Sequence, residues 1–208
     1  GVALSGLMSQ MPIPFAFNTD KIGFGADLPV LPSETGQNIQ MRAAIEEFTM
    51  ADVLWGMFDP QAKLPRDPAT VIINLAGEAR LLLDVFDTDL TDLSTTAGRL
   101  DRLEIKELNA QAAGATLDAS GDMRFDYSAA GAFGDMPKTV GQVDIDLVGA
   151  NTLLDRLVDI GLVPPDAAGA ARMMIGLFGI PGAGEDTLKS KLEINEEGHI
   201  LANGNRIQ

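Results

Sequence analysis

The chain has no cysteine and only one histidine, and these two absences exclude several common kinds of site. Disulfide scaffolds, thiol nucleophiles and iron–sulfur centres all require cysteine, and a zinc site built on several histidines requires more than one imidazole. The single histidine, His199, follows a glycine in a predicted hairpin turn, where catalysis is not expected. We therefore expect no chemistry of these kinds and no cofactor.

Positive charge is also scarce. The sequence has 15 lysines and arginines against 30 aspartates and glutamates, which gives a formal net charge of −15. Nucleic acids and anionic lipid surfaces are both bound through clustered Lys and Arg side chains. The sequence therefore predicts no nucleic-acid partner and no electrostatic docking on an anionic membrane.

No long, uninterrupted apolar stretch is present. Residues 1–19 lack charge but contain Pro12 and Pro14, and the next uncharged run, residues 173–184, is short and contains Pro181. A helix that crosses a bilayer needs about 20 mostly apolar residues. We expect no transmembrane segment.

The strongest positive signal is alternation of apolar or small residues with polar ones at a period of two. It occurs around residues 22–30, 39–45, 117–127, 143–147 and 188–194, and Ile13–Phe17, Val71–Leu75 and Leu103–Ile105 add three more candidate strands. Such alternation is typical of antiparallel strands with one dry face and one wet face. The pattern predicts an α+β fold: a single β-rich domain over residues 1–208, with a large curved antiparallel sheet of about eight or nine strands.

Helical patterns are fewer. Thr49 and Asp52 resemble a capping pattern before a short helix that ends at Pro60, and residues 151–178 show helical spacing interrupted by Pro164 and Pro165. The second region is interpreted as a helical hairpin near the C-terminus, whose small residues allow close packing: Ala167, Ala170 and Ala171.

Six stretches together resemble one family: residues 12–15, 51–60, 64–70, 153–164, 171–174 and 198–207. They are similar to the C-terminal part of an alphaproteobacterial family, domain of unknown function 2125, and more distantly to the AsmA-like group. The first resemblance implies a longer, exported protein with a periplasmic location. The second implies a curved sheet with an apolar groove, linked to lipid handling and outer-membrane biogenesis. Neither resemblance supplies a catalytic residue.

Two apolar segments are candidates for a ligand or partner surface, because methionine adapts to irregular partners such as acyl chains. The alternative is that they simply pack against the sheet. The candidates are Trp55, Met57, Phe58, Met173, Met174, Leu177 and Phe178.

Acidic residues supply two further hypotheses. Asp84, Asp87, Asp89 and Asp92 could bind a hard cation such as Ca²⁺, although their spacing does not match the calcium-loop motif, and a solvated loop is the alternative. Paired carboxylates on the predicted strands could perform acid–base chemistry, or they could form a hydrated face of the sheet. They are Asp118, Asp122, Asp126, Asp144 and Asp146.

Three functions follow from these patterns. The leading hypothesis is a non-enzymatic periplasmic protein of the cell envelope that binds apolar material, such as lipid, along the dry face of its sheet. A structural or protein-interaction module of the envelope is the second, with another envelope protein as partner. A carboxylate-based hydrolase is the third.

Overall fold

The computed structural model describes residues 17–82, 98–131 and 134–208. These residues form eleven strands: β1 Phe17–Asn18, β2 Lys21–Asp27, β3 Gln37–Met50, β4 Ala69–Leu81, β5 Gly98–Ala112, β6 Ala115–Gly131, β7 Gly134–Val148, β8 Ile180–Pro181, β9 Thr187–Ile194, β10 Ile200–Ala202 and β11 Asn205–Arg206. They also form three helices: α1 Asp52–Phe58, α2 Ala150–Asp159 and α3 Pro165–Phe178. The strand predicted at Ile13 and Phe15 lies outside the described residues, which contain only its end at Phe17.

All eleven strands belong to one antiparallel sheet. Its main path is β1-β3-β4-β5-β6-β7-β9-β10-β11. Strand β2 pairs with the same edge of β3 as β1 does, and β8 pairs with β9. Within the described residues the path does not return on itself, so the sheet has two open edges. The predicted antiparallel, β-rich fold with short helices is confirmed.

The register separates an apolar face from a polar face. Directly opposed residues of antiparallel strands share a face. One row of directly paired residues crosses six strands as Met41, Leu75, Ile105, Gly121, Val143 and Leu192. The adjacent row on the opposite face is Gln40, Ala76, Glu104, Asp122, Gln142 and Glu193. The alternation read from the sequence thus has the predicted result, a dry face and a wet face.

Helix α1 connects β3 to β4, but it does not begin as the sequence pattern predicts. Thr49 is the penultimate residue of β3, and the residue that precedes the helix, Ala51, makes no side-chain capping hydrogen bond. The prediction of a Thr49 cap is wrong because β3 extends to Met50, which keeps the Thr49 backbone in a strand. Beyond the helix, the carboxylate of Asp59 accepts hydrogen bonds from the backbone N–H groups of Lys63 at 2.9 Å and Leu64 at 2.8 Å.

The two predicted turns near the C-terminus are present. Gly198 has φ 79°, and Asn203 and Gly204 have φ 51° and 79°, so the chain reverses through left-handed residues at both places. The Asn195 side chain stabilises the first turn by accepting a hydrogen bond from the backbone N–H of His199 at 2.9 Å. These turns place β10 beside β9 and β11 beside β10.

Candidate functional site

The apolar face of the sheet is only partly covered. Among the described residues, five apolar side chains are buried: Ala44, Leu54, Leu64, Ala168 and Ala202. On the apolar face of β2, Ile22 is 62% exposed and Phe24 is 76% exposed. The apolar face therefore remains accessible at β2 and at the part of β3 paired with it, where Ile45 is 42% exposed.

Helix α3 lies over β7 and β9 on this face, and an open cavity of about 290 Å³ lies between the helix and these strands. The helix contributes Met174, Ile175 and Phe178 to its wall. The sheet contributes apolar side chains of β7 and β9: Ile145, Leu147, Leu188 and Leu192. The cavity therefore has an aliphatic and aromatic lining and is close to the lower limit of the size range of ligand pockets, about 300 Å³.

The polar groups at the end of α3 are already hydrogen-bonded. The carbonyl oxygen of Phe178 accepts one hydrogen bond from Ser190 Oγ and another from Asn203 Nδ2, both at 2.7 Å. Asn203 also joins the edge of β9, because its Oδ1 accepts from the backbone N–H of Lys191 at 2.8 Å. These bonds fix the C-terminal end of α3 and leave its terminal carbonyl satisfied.

The start of α2 is held by a residue that is distant in sequence. The carboxylate of Asp186 accepts hydrogen bonds from the backbone N–H groups of Thr152 at 2.8 Å and Asn151 at 3.2 Å, and from Asn151 Nδ2 at 2.9 Å. Burial alone would raise the pKa of Asp186, but these donors outweigh it and hold the pKa below its ordinary value. Arg172 of α3 donates to Asp155 of α2 at 2.6 Å, so the two helices are linked to each other as well as to the sheet.

Glycines allow neighbouring strands to approach closely on the apolar face. Gly77 is paired with Leu103, and Gly141 is paired with Met123, in one row across the sheet. A Cβ atom at Gly77 would overlap the carbonyl oxygen of Arg102, and one at Gly141 would overlap that of Asp122. The same sheet has bulges in the pairing of β3 with β4, β4 with β5, and β5 with β6. Bulges and glycines of this kind bend strands and increase their twist.

The sequence-predicted residues on α3 divide between two sides of the helix. Met174 and Phe178 line the cavity, whereas Met173 is 73% exposed and Leu177 is 61% exposed. Ile175, in the same apolar segment of the sequence, also lines the cavity. The wall residues on the sheet were not among the candidates, although the alternation in β7 and β9 places them on the apolar face.

The predicted residues on α1 form a separate cluster. The rings of Trp55 and Phe58 lie 5.1 Å apart, and the guanidinium of Arg66 lies 5.8 Å from the Trp55 ring centre. Met57 is 70% exposed. None of these side chains lines the cavity below α3.

All five strand carboxylates lie on the polar face, and four of them have polar partners within the described residues. Asp122 pairs with Arg102 at 2.6 Å, and Asp146 pairs with Lys189 at 2.6 Å. The hydroxyl and the backbone N–H of Ser128 donate to Asp126 at 2.6 and 2.8 Å, and they lower its pKa. This arrangement is typical of a hydrated face with cross-strand ion pairs.

The calcium hypothesis falls on residues that the structure does not describe. Asp84, Asp87, Asp89 and Asp92 all lie in residues 83–97, outside the described ranges. Within the described ranges, no three or more His, Asp or Glu side chains are grouped as a metal site would require.

Within those same ranges, none of the helices has the length and apolar character needed to cross a bilayer.

Comparison with known proteins gives a family match. The model of a family described as an uncharacterized protein conserved in bacteria, domain of unknown function 2125, matches residues 31–201. No curated protein and no solved structure matches the chain. The family match spans β3 to β10 and includes the cavity, and it shows that this chain belongs to the domain of unknown function 2125 family.

Proposed function

We propose that the protein is a non-enzymatic periplasmic protein of the cell envelope that binds apolar ligands, such as lipid acyl chains, against the apolar face of its sheet. The observation that carries the proposal is the cavity of about 290 Å³ between α3 and the sheet, lined by Met174, Ile175 and Phe178 opposite the apolar strand residues. The cavity continues a sheet face on which Ile22 and Phe24 of β2 remain mostly exposed.

The chemistry of the lining favours an apolar occupant over water. Water at this wall finds few polar partners, because the accessible lining is apolar. Each methylene group that leaves water contributes about 0.8 kcal/mol. A chain with about eight methylenes in the cavity therefore gains about 6 kcal/mol of transfer free energy, from which the costs of association are subtracted.

A curved sheet would extend this site into a trough. The close strand approaches at Gly77 and Gly141 and the bulges along β3 to β6 support curvature, because such features bend designed and natural sheets. In this proposal α2 and α3 act as a helical hairpin that closes one end of the trough. This arrangement would give the protein the lipid-handling role of the AsmA-like group.

The periplasmic location belongs to the same proposal and is supported by the family resemblance. It is tested by fractionating cells of the native host and detecting the protein with an antibody. Recovery with periplasmic markers supports the location, and recovery with cytoplasmic markers contradicts it.

The ligand is tested by native mass spectrometry of the purified chain, followed by solvent extraction. We expect a bound apolar molecule that is lost in a Leu188→Gln variant, because an amide without partners in the cavity wall disfavours an apolar occupant. Val53→Gln on α1, where the side chain is 54% exposed, is the matched control and retains the ligand. Extraction that recovers no apolar molecule, or equal amounts from both variants, would contradict the proposal.

The exposed half of the apolar face favours a second candidate, an interaction module. Ile22, Phe24 and Ile45 share this face, and all are more than 40% exposed. Large exposed apolar patches mark surfaces that bind other proteins or membranes. A Phe24→Glu variant that loses an envelope partner in a pull-down, while it retains bound lipid, would favour this role.

A further inference from the structure

Strand β2 lies at an edge of the sheet. Among the described residues it pairs only with β3, so the hydrogen-bonding groups that point away from β3 have no strand beside them. An exposed edge of this kind can be extended by a strand from another chain.

The sequence of β2 is complementary to itself. It reads Lys-Ile-Gly-Phe-Gly-Ala-Asp, with a cation at one end, an anion at the other and Phe24 at the centre. If two copies pair antiparallel about Phe24, then Lys21 of each lies opposite Asp27 of the other. Ile22 lies opposite Ala26, and Gly23 lies opposite Gly25.

We propose that two copies of this chain associate through antiparallel pairing of their β2 strands, centred on Phe24. Opposite charges directly across a strand pair are stabilising and like charges are destabilising, so the charges select this register over a shifted one. The central Phe24 side chains, each 76% exposed in a single chain, form a cross-strand aromatic pair.

The polar face of β2 is open beside the proposed pair. A Cβ atom at Gly23 or Gly25 would have no heavy atom of the described residues within 4 Å on that face. Lys21 already contacts Glu46 of its own chain at 2.7 Å, but its ammonium group has three donors and its side chain is 54% exposed. It can therefore hold Glu46 and the second copy's Asp27 together.

The pairing joins the two apolar faces. Directly opposed residues share a face, so Ile22, Phe24 and Ala26 of both copies lie on the same side of the combined sheet. The dimer itself rests on the edge of β2 alone and does not depend on a bound ligand.

Charge reversal tests the proposal. Sedimentation velocity of the full 208-residue chain, from about 1 μM to about 1 mM, measures the dissociation constant of the dimer. In Asp27→Lys, two ammonium groups face each other at both ends of the pair, and in Lys21→Glu, two carboxylates do. We expect each variant to raise the dissociation constant by about tenfold or more, because like charges directly across a strand pair repel.

An equimolar mixture of the two variants restores complementary charges at both ends of the pair. We therefore expect a heterodimer with a dissociation constant close to that of the unmodified chain. Circular dichroism checks that each variant is folded, and Asp67→Lys, a charge reversal at an exposed site before β4, is a control that leaves the dimer unchanged. A monomer at all concentrations, or a mixture that stays monomeric, would overturn the proposal.

Discussion

The carboxylate of Asp186 accepts a hydrogen bond from the backbone N–H of Thr152 at 2.8 Å, across 34 residues of sequence. This bond attaches the first turn of α2 to the segment that leads into β9. The residue that precedes α2, Gly149, has no side chain and provides no cap of its own. The positions of α2 and of α3, which is linked to it, therefore depend on Asp186, the residue that immediately precedes β9.

Removing this cap should destabilise the protein. Asp186→Ala leaves the N–H groups of Asn151 and Thr152 without their acceptor, and we expect a loss of about 1 kcal/mol in the free energy of unfolding. Urea denaturation measures the change. Glu185→Gln alters the neighbouring carboxyl group and serves as the control. Equal stability of Asp186→Ala and the control would show that the cap contributes nothing.

Acid should weaken the fold through three carboxylates with lowered pKa values: Asp59, Asp126 and Asp186. Burial opposes the charged form of Asp59, but the N–H groups of Leu64 and Lys63, aided by Arg66 and Lys63, outweigh it. A lowered folded-state pKa contributes stability that is present above the unfolded pKa, about 3.9, and is lost as the pH falls through the folded value.

We expect the free energy of unfolding to fall below about pH 4, and to fall less steeply in Asp186→Asn, which cannot titrate at that position. Thermal unfolding at a series of pH values measures both slopes. If the variant and the unmodified chain lose stability with the same slope, Asp186 has no such role.

Two glycine substitutions should have opposite effects. Gly77→Val forces a side chain against the backbone of Arg102, and we expect destabilisation of about 2 kcal/mol or more. Gly176→Ala, in the interior of α3 with no heavy atom near the added methyl group, should stabilise by about 0.5–1 kcal/mol. The melting temperatures of the two variants and the unmodified chain measure both effects. A Gly77→Val variant that melts at the temperature of the unmodified chain would contradict the close approach of the strands.

The alanines of α3 differ in the space around them. Ala168 has no exposed surface, whereas Ala167 lies on the exposed side of the helix. We expect Ala168→Leu to destabilise by about 1–3 kcal/mol through overpacking, and Ala167→Leu to change stability by less than about 0.5 kcal/mol. Chemical denaturation of the two variants measures the free energy of unfolding of each. Similar losses at both positions would contradict the burial of Ala168.

Local patterns predicted most of the sheet, because each strand needs one dry face and therefore alternates. Residues 117–127 and 143–147 are examples, and both lie within the observed strands β6 and β7. The turn at Asn203 and Gly204 was also predictable, since turn positions with a left-handed backbone conformation favour Asn and Gly.

Features that depend on distant contacts were not predictable in this way. The sequence pattern placed a cap at Thr49 and close packing at Ala167 and Ala170, whereas the structure extends β3 through Thr49 and buries Ala168. Asp186 as the cap of α2, and the division of Met173 from Met174 at the cavity, follow from how the helices lie on the sheet. A single sequence does not specify that arrangement.

The binding of an apolar ligand at this cavity is tested most directly by the neighbouring methionines of α3. Met174 lines the cavity and Met173 does not, although both are more than half exposed. Titration with a polyene fatty acid, whose fluorescence rises in apolar surroundings, measures affinity for the unmodified chain, Met174→Glu and Met173→Glu. We expect saturable binding that Met174→Glu weakens by about tenfold or more, because a hydrated carboxylate replaces an apolar contact between the cavity wall and the ligand, and that Met173→Glu leaves unchanged. Absence of saturable binding, or equal affinity in both variants, would contradict a ligand site between α3 and the sheet.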